Sequence, residues 1–187
     1  AQQGRFTASL FWPGSEGKVK GVRPRYWARY NPGISRDAQV ETLLEWLDKP
    51  VAERPVFLAA YFSEVDAAGH RDGPDAPSVR AAVERVDRVL GQLRQGLERR
   101  GLADEINLIL TFAHGMTEVS RDRLIVLDDY LDLSTVDVIE WSPVLMLSAR
   151  DGNHERVYRQ LAGAHPQLTV HRKADIPARL HFRASPR

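Results

Sequence analysis

The sequence contains no cysteine. That excludes disulfides and thiolate-metal sites, and leaves histidine and carboxylate side chains to hold any transition metal. An excess of charge of one sign is missing too: 26 Lys and Arg face 25 Asp and Glu, for a formal net charge of +1. Such a balance lacks the basic footprint of a nucleic-acid binder. No apolar run approaches the roughly 18 residues of a membrane span. The opening AQQGRFTASLFW has neither the charged nor the apolar region of a signal peptide. The sequence thus leaves the compartment open. An initiator methionine is absent, and the start at Ala1, close to an apolar run, leads us to expect a chain that begins inside a larger protein or after processing. Internal repeats and low-complexity tracts are lacking as well.

What is present suits one globular domain: 187 residues, 43% hydrophobic and 27% charged, enough chain to bury a sizeable core. Three short, continuously apolar runs read as strands covered on both faces: Thr7 to Phe11, Val56 to Phe62 and Ile106 to Phe112. Between them, Arg36 to Asp48 places Val40, Leu43, Leu44 and Leu47 on one helical face. Ser78 to Arg100 does the same with Val79, Val83, Val86, Val89, Leu90, Leu93 and Leu97, and Gly101 stands where a C-terminal cap belongs. This β, α, β, α, β alternation predicts an α/β fold with a mostly parallel sheet flanked by helices, whose ligand sites lie beyond the carboxyl ends of the strands.

After Thr117 the pieces shorten. Arg123 to Leu127, Val136 to Ile139, Val144 to Ser148, Leu168 to His171 and Arg179 to Phe182 read as strands, with a helix near His154 to Ala162. We expect residues 1–117 to form the α/β core and residues 118–187 a smaller α+β region of the same domain. Residues 12–35 read as a long loop with three prolines and four glycines, functional rather than disordered given its aromatic content.

Two stretches carry chemistry. YFSEVDAAGH ends in Asp66 and His70, which one helical turn after a strand would set on one face. An Asp oxygen and a neutral His nitrogen suit Zn²⁺, but an N-capping Asp66 and a surface His70 fit the same spacing. LILTFAHGM repeats the plan: His114 follows an apolar run and precedes Gly115, either as a ligand or as a histidine held at a strand end by a backbone hydrogen bond. Tyr30 and Tyr61 could stack on a planar ligand such as a nucleobase, or Tyr61 could pack under the loop. Asp128, Asp129 and Asp132 read as caps of a short helix or as a cation site, and His154, His165, His171 and His181 as surface or structural residues.

FWPGSE (Phe11 to Glu16), RPRYWARY (Arg23 to Tyr30), YFSEVDAAGHRDGP (Tyr61 to Pro74), AHGM (Ala113 to Met116) and YLDL (Tyr130 to Leu133) together resemble a bacterial nucleotide pyrophosphatase/phosphodiesterase (type I phosphodiesterase) of the alkaline phosphatase superfamily, as its central fragment. The likeness runs in order over essentially the whole chain. It implies an alkaline-phosphatase-like fold, two zinc ions clamping a phosphoryl group, and a threonine nucleophile. It implies that Asp66 and His70 ligate one zinc and His114 the other, and that Tyr61 and Tyr30 line the nucleobase pocket. It implies a nucleotide or phosphodiester substrate, nucleoside monophosphate as product, and a periplasmic or extracellular enzyme.

The family has Asp where this chain has Ala113. By the same resemblance, the nucleophile and one Asp ligand belong to a segment preceding Ala1, and a further His ligand to one following Arg187. The chain then offers two of three ligands for one zinc and one of four for the other, no catalytic nucleophile, and weak or partial zinc binding. We expect no activity from it alone. The alternative is a non-catalytic nucleotide- or protein-binding module derived from such an enzyme. Strands deprived of neighbours would leave open edges that favour self-association.

Overall fold

Residues 4–142 and 144–182 are described by the structure, a computed structural model. Two of the three expected strands form: β1 (Thr7–Leu10) and β3 (Phe57–Ala60). Between them in sequence, β2 (Tyr26–Ala28) arises inside the segment expected to be loop. The sheet has the order β2-β1-β3 with both pairings parallel, Ala8 opposite Tyr26 and Leu58, and Leu10 opposite Ala28 and Ala60. β1 is therefore central, and its Ala8, Ser9 and Leu10 are buried. β2 was not legible because Tyr-Trp-Ala is too short to show a period. The backbone pairing with β1 makes it a strand.

The third expected strand is a correction. Ile106 to Phe112 forms no strand, and Leu108, Ile109, Leu110 and Phe112 are all exposed, Phe112 at 86%. The reason is pairing: among the described residues no strand is hydrogen-bonded to it, and extended backbone gains a ladder only from a neighbour.

The helices follow their periodicity. α1 (Arg36–Leu47) starts at Ser35, whose hydroxyl accepts from the Ala38 amide at 3.2 Å, and buries Val40, Leu43, Leu44 and Leu47. Each such side chain contributes roughly 1.5–3 kcal/mol when fully buried. α3 (Pro77–Arg99) begins one residue earlier than expected, with Pro at a first-turn position where no amide partner is lost. The Ser78 hydroxyl instead donates to Asp72 at 2.5 Å. The buried face of α3 is Ala82, Val89, Leu93, Gly96 and Leu97, while Val83, expected on that face, is half exposed. Small residues are placed where neighbours approach closely: a Cβ on Gly96 would collide with Leu44 of α1. Gly101, at φ +66°, ends α3 as expected. The α1 and α3 ends are fastened by Arg100, whose guanidinium donates to both Asp48 oxygens at 2.7 and 2.8 Å. Between β3 and α3 runs α2 (Glu64–Asp72). Leu10, Phe11, the α1 leucines, Val89, Leu93, Leu97 and Leu102 make one core.

The chain divides into two compact units, residues 1–118 and 119–187. In the second, β4 (Val136–Glu140) pairs antiparallel with β5 (Met146–Ala149), and α4 (His154–Leu161) follows. Leu131, Val136, Ala149, Val157 and Leu161 form its core. The other expected strands here are corrections: residues 124–126 are irregular between the 3₁₀ turns Arg121–Arg123 and Leu127–Asp129, Leu168 to His171 is irregular, and Ala178–Leu180 is a turn of 3₁₀ helix. None has a strand partner among the described residues. Asp132 caps the 3₁₀ turn Leu133–Thr135 by accepting from the Ser134 amide at 2.9 Å, and Asp128 and Asp129 lie in the 3₁₀ turn Leu127–Asp129. No helix among the described residues is long and apolar enough to cross a membrane.

Candidate metal centre

Each strand of the parallel sheet delivers an aromatic residue just past its carboxyl end. After β1 comes Phe11, buried and at φ +62°, a conformation that a bulky side chain rarely adopts. Its ring meets Tyr30, just past β2, edge-on at 5.6 Å. Tyr61 follows β3, and its amide donates to the Leu10 carbonyl at 3.0 Å, extending the ladder by one bond. The Tyr30 hydroxyl and the Ser63 hydroxyl are hydrogen-bonded at 2.9 Å, which ties the segment after β2 to the N-cap of α2. Glu16 accepts from the Tyr30 amide at 3.2 Å, and this bond holds the Glu16 carboxyl below its usual range. Tyr61 packs partly buried against the core. Burial pushes its phenol above the usual value, and the charges of Asp66 and Tyr30 push in the same direction.

Asp66 and His70 lie one turn apart on α2, and His70 Nε2 is 3.3 Å from Asp66 Oδ1. His114 arrives from the irregular segment after Phe112 with its Nε2 3.5 Å from the same oxygen. The two imidazoles sit 6.3 Å apart, centre to centre. One ligand atom from each of the three residues lies within 4.8 Å of the others, the only such set of three or more among the described residues.

What brings His114 to α2 is packing two residues away. Met116 lies against Gly69, so closely that a Cβ on Gly69 would collide with the Met116 sulfur. A glycine inside a helix costs about 1 kcal/mol relative to alanine. Here it opens the space in which the His114 segment rests. At the N-terminus of α2, Glu64 pairs with Arg36 of α1.

The geometry leaves room for a cation. His114 Nδ1 is 2.7 Å from the Gly115 carbonyl, which only accepts, so Nδ1 carries the proton. In the neutral ring, Nε2 then presents a lone pair to a carboxylate oxygen. Two acceptors face each other at 3.5 Å, an arrangement that a proton or a metal ion between them makes favourable. Asp66 is about one-third exposed, and His70 and His114 more than half, so an ion can reach them from solvent. The donor set, one carboxylate and two imidazoles, fits one transition-metal ion. Ala113 offers no donor beside His114.

The structure therefore brings Asp66, His70 and His114 together and sets Tyr30 and Tyr61 at the adjoining strand ends. Phe11, Ser63, Gly69 and Met116 were missed as contributors to this region. The helical glycine between the two candidate ligands was the one local signal. Among the other histidines, His154 bonds Ser148 at 3.3 Å and His165 accepts from the Gln167 amide at 3.1 Å, each in a structural role.

Comparison with known proteins extends this. The family model described as type I phosphodiesterase / nucleotide pyrophosphatase matches residues 1–187. Human ectonucleotide pyrophosphatase/phosphodiesterase family member 5 is 36% identical over 98% of this chain and 38% of its own length. The bovine (Bos taurus) protein named bis(5'-adenosyl)-triphosphatase ENPP4 is 36% identical over 100% of this chain and 41% of its own. A solved structure of an inactive form of murine ectonucleotide pyrophosphatase/phosphodiesterase 5, in complex with AMP, superposes with a TM-score of 0.87 at 37% identity, over 97% of this chain and 48% of that one. The chain thus spans less than half the length of these relatives. They are animal proteins, and the bacterial source implied by the sequence resemblance is not borne out.

Proposed function

The chain belongs to the type I phosphodiesterase/nucleotide pyrophosphatase family of the alkaline phosphatase superfamily, and from that premise we propose that it is the central, ligand-bearing part of a zinc-dependent nucleotide pyrophosphatase/phosphodiesterase. The whole protein, on this reading, hydrolyses phosphodiester or pyrophosphate bonds of nucleotides and releases nucleoside monophosphates. Residues 1–187 then form one partial alkaline-phosphatase-like domain, with residues 1–117 as the α/β core. The observation that carries the proposal is the convergence of Asp66, His70 and His114 on one point beyond the carboxyl end of β3.

Asp66, His70 and His114 are the residues that would hold zinc. The ion, when bound, supplies Lewis-acid polarisation of a phosphoryl oxygen and charge neutralisation. The chain's own residues bind and orient. Tyr61 and Tyr30 offer aromatic faces at neighbouring strand ends for the nucleobase, and the Ser63 hydroxyl fixes the Tyr30 hydroxyl. An AMP complex of the murine relative supports a nucleotide as the ligand class.

Residues 1–187 should be catalytically silent in isolation. Ala113 removes a carboxylate donor, and no threonine of this sequence matches the family's nucleophile motif. The test is hydrolysis of an aryl phosphodiester by the purified chain with added Zn²⁺, and the expected result is no turnover above background. Turnover abolished by Asp66→Ala or His70→Ala would overturn that expectation. Ala113 also favours a second reading, a non-catalytic nucleotide-binding module. AMP binding in metal-free buffer, measured by calorimetry, supports the module. Binding that needs Zn²⁺ supports the hydrolase.

A further inference from the structure

We propose that residues 17–29 form a docking surface for an anionic phospholipid membrane, a basic hairpin whose lysines and exposed valines settle into the headgroup layer. This surface uses none of the candidate metal ligands, and it stands or falls apart from nucleotide hydrolysis.

Charge is the first observation. Residues 17–35 hold Lys18, Lys20, Arg23, Arg25 and Arg29 without one Asp or Glu, which leaves 21 Lys and Arg against 25 Asp and Glu in the rest of the chain. A nearly neutral protein thus concentrates cations in one segment and is acidic elsewhere. None of the five forms an ion pair among the described residues. Glu16, the carboxylate that flanks the segment, accepts from the Tyr30 amide at 3.2 Å.

Shape is the second. Val19 and Val22 exchange both backbone hydrogen bonds, at 2.9 and 3.0 Å, and Lys20 and Gly21 between them have φ +50° and +79°. Positive φ at both tip residues is the requirement of a tight type I′ hairpin. A Cβ on Gly21 would meet nothing within 4 Å beyond its chain neighbours, so the tip stands in open space. The base of the hairpin is fastened to the sheet: the Arg25 amide donates to the Thr7 carbonyl at 2.9 Å, and β2 then pairs with β1. The cations are therefore carried on ordered backbone, with little conformational entropy left to lose on docking.

Apolar side chains among the cations identify the occupant. Val19 is 70% exposed, and Val22 and Trp27 are exposed as well. A sulfated polysaccharide gives a valine nothing to bury against. The boundary between headgroups and acyl chains takes up valine and tryptophan and leaves lysine ammonium groups among the phosphates. Stacked nucleobases need free aromatic faces. Here the Arg23 guanidinium lies 4.3 Å over the Trp27 ring, and that of Arg25 5.6 Å over the Phe6 ring. Those cation–π contacts take up a face of each ring and hold the guanidiniums in place.

The test is co-sedimentation of the full 187-residue chain with mixed phosphatidylserine/phosphatidylcholine vesicles and with vesicles of phosphatidylcholine alone. The protein should sediment with the anionic vesicles and stay in solution beside the neutral ones. Raising the salt from about 0.1 M to about 1 M should release most of it, as the Debye length shrinks from about 10 Å to about 3 Å. The double variant Lys18→Ala/Lys20→Ala should weaken attachment roughly 25-fold, about fivefold for each charge removed. Lys18→Arg/Lys20→Arg, which keeps the charge, should attach as the parent does, and Val19→Ser should weaken attachment with the charge unchanged. Circular dichroism of each variant checks the fold, and the vesicle comparison needs no variant. Failure to sediment with anionic vesicles, equal attachment to neutral ones, or an alanine double variant within about twofold of the parent would overturn the proposal. Retention on heparin or single-stranded DNA without attachment to anionic vesicles would overturn it too, and would give the segment to another polyanion.

Discussion

Residues 57–70 and 106–116 follow the same plan in sequence, an apolar run followed by a candidate metal ligand, yet only the first becomes regular structure. Phe57–Ala60 pairs along its whole length with β1, and its continuation enters α2 directly. Ile106 to Phe112 pairs with no strand among the described residues, and its Leu108, Ile109, Leu110 and Phe112 stay in solvent. The difference shows that an apolar run specifies a strand only in company. Its side chains set a preference, and a neighbouring backbone satisfies the amides and carbonyls. The second stretch nevertheless brings His114 to Asp66, with Met116 lying against Gly69 just beyond it.

The sharpest way to test this contrast is to remove apolar side chains from each side of it. Leu43→Ala, in the core under the sheet, should destabilise the first unit by about 2–5 kcal/mol through lost burial and a residual cavity. Ile109→Ala and Phe112→Ala, at exposed positions, should change stability by within about 0.5 kcal/mol. Urea midpoints of the three variants measure this. An Ile109 or Phe112 variant that costs as much as the Leu43 variant would mean that the second stretch is paired in solution.

A smaller effect is expected where the two stretches meet. Gly69→Leu should drive Met116 off α2 and with it the His114 segment. Metal affinity should fall roughly 10–100-fold, the range for lost supporting contacts. Co²⁺ titration beside a circular dichroism spectrum separates loss of the anchor from loss of the fold. Unchanged affinity would mean that His114 finds Asp66 without the anchor.

The smallest effect concerns the helices that support the first stretch. The Arg100 hydrogen bonds hold the Asp48 carboxyl below its usual value of 3.8. A depressed folded-state pKa contributes stability that is present above the unfolded value and is lost as the pH falls below it toward the folded value. Arg100→Ala should flatten that acid-side loss, read as the pH dependence of the urea midpoint below pH 4. The carboxylate is exposed and the effect is slight. A steeper acid dependence in the variant would contradict the assigned cause.

The helices were legible because their signal is local. Val40, Leu43, Leu44 and Leu47 recur at helical spacing, and Gly101 bounds α3 by backbone chemistry that a few neighbours decide. The face of α3 was legible only in part. Val83 competes with Ala82 for the interior, and the close approach of neighbouring elements favours the smaller side chain. β2 and the strand that did not form were misread for one shared reason, since a strand's partner lies far off in sequence and no local period reports it.

By itself, the sequence determined the ligand chemistry. With no cysteine, any transition metal is left to histidine and carboxylate ligands, and the four-residue spacing of the candidate ligands Asp66 and His70 placed both on one helical face. Only the tertiary structure decided that His114 joins that same carboxylate. The approach joins residues 48 positions apart and depends on a glycine that leaves room for Met116, a contact between surfaces that no local pattern encodes.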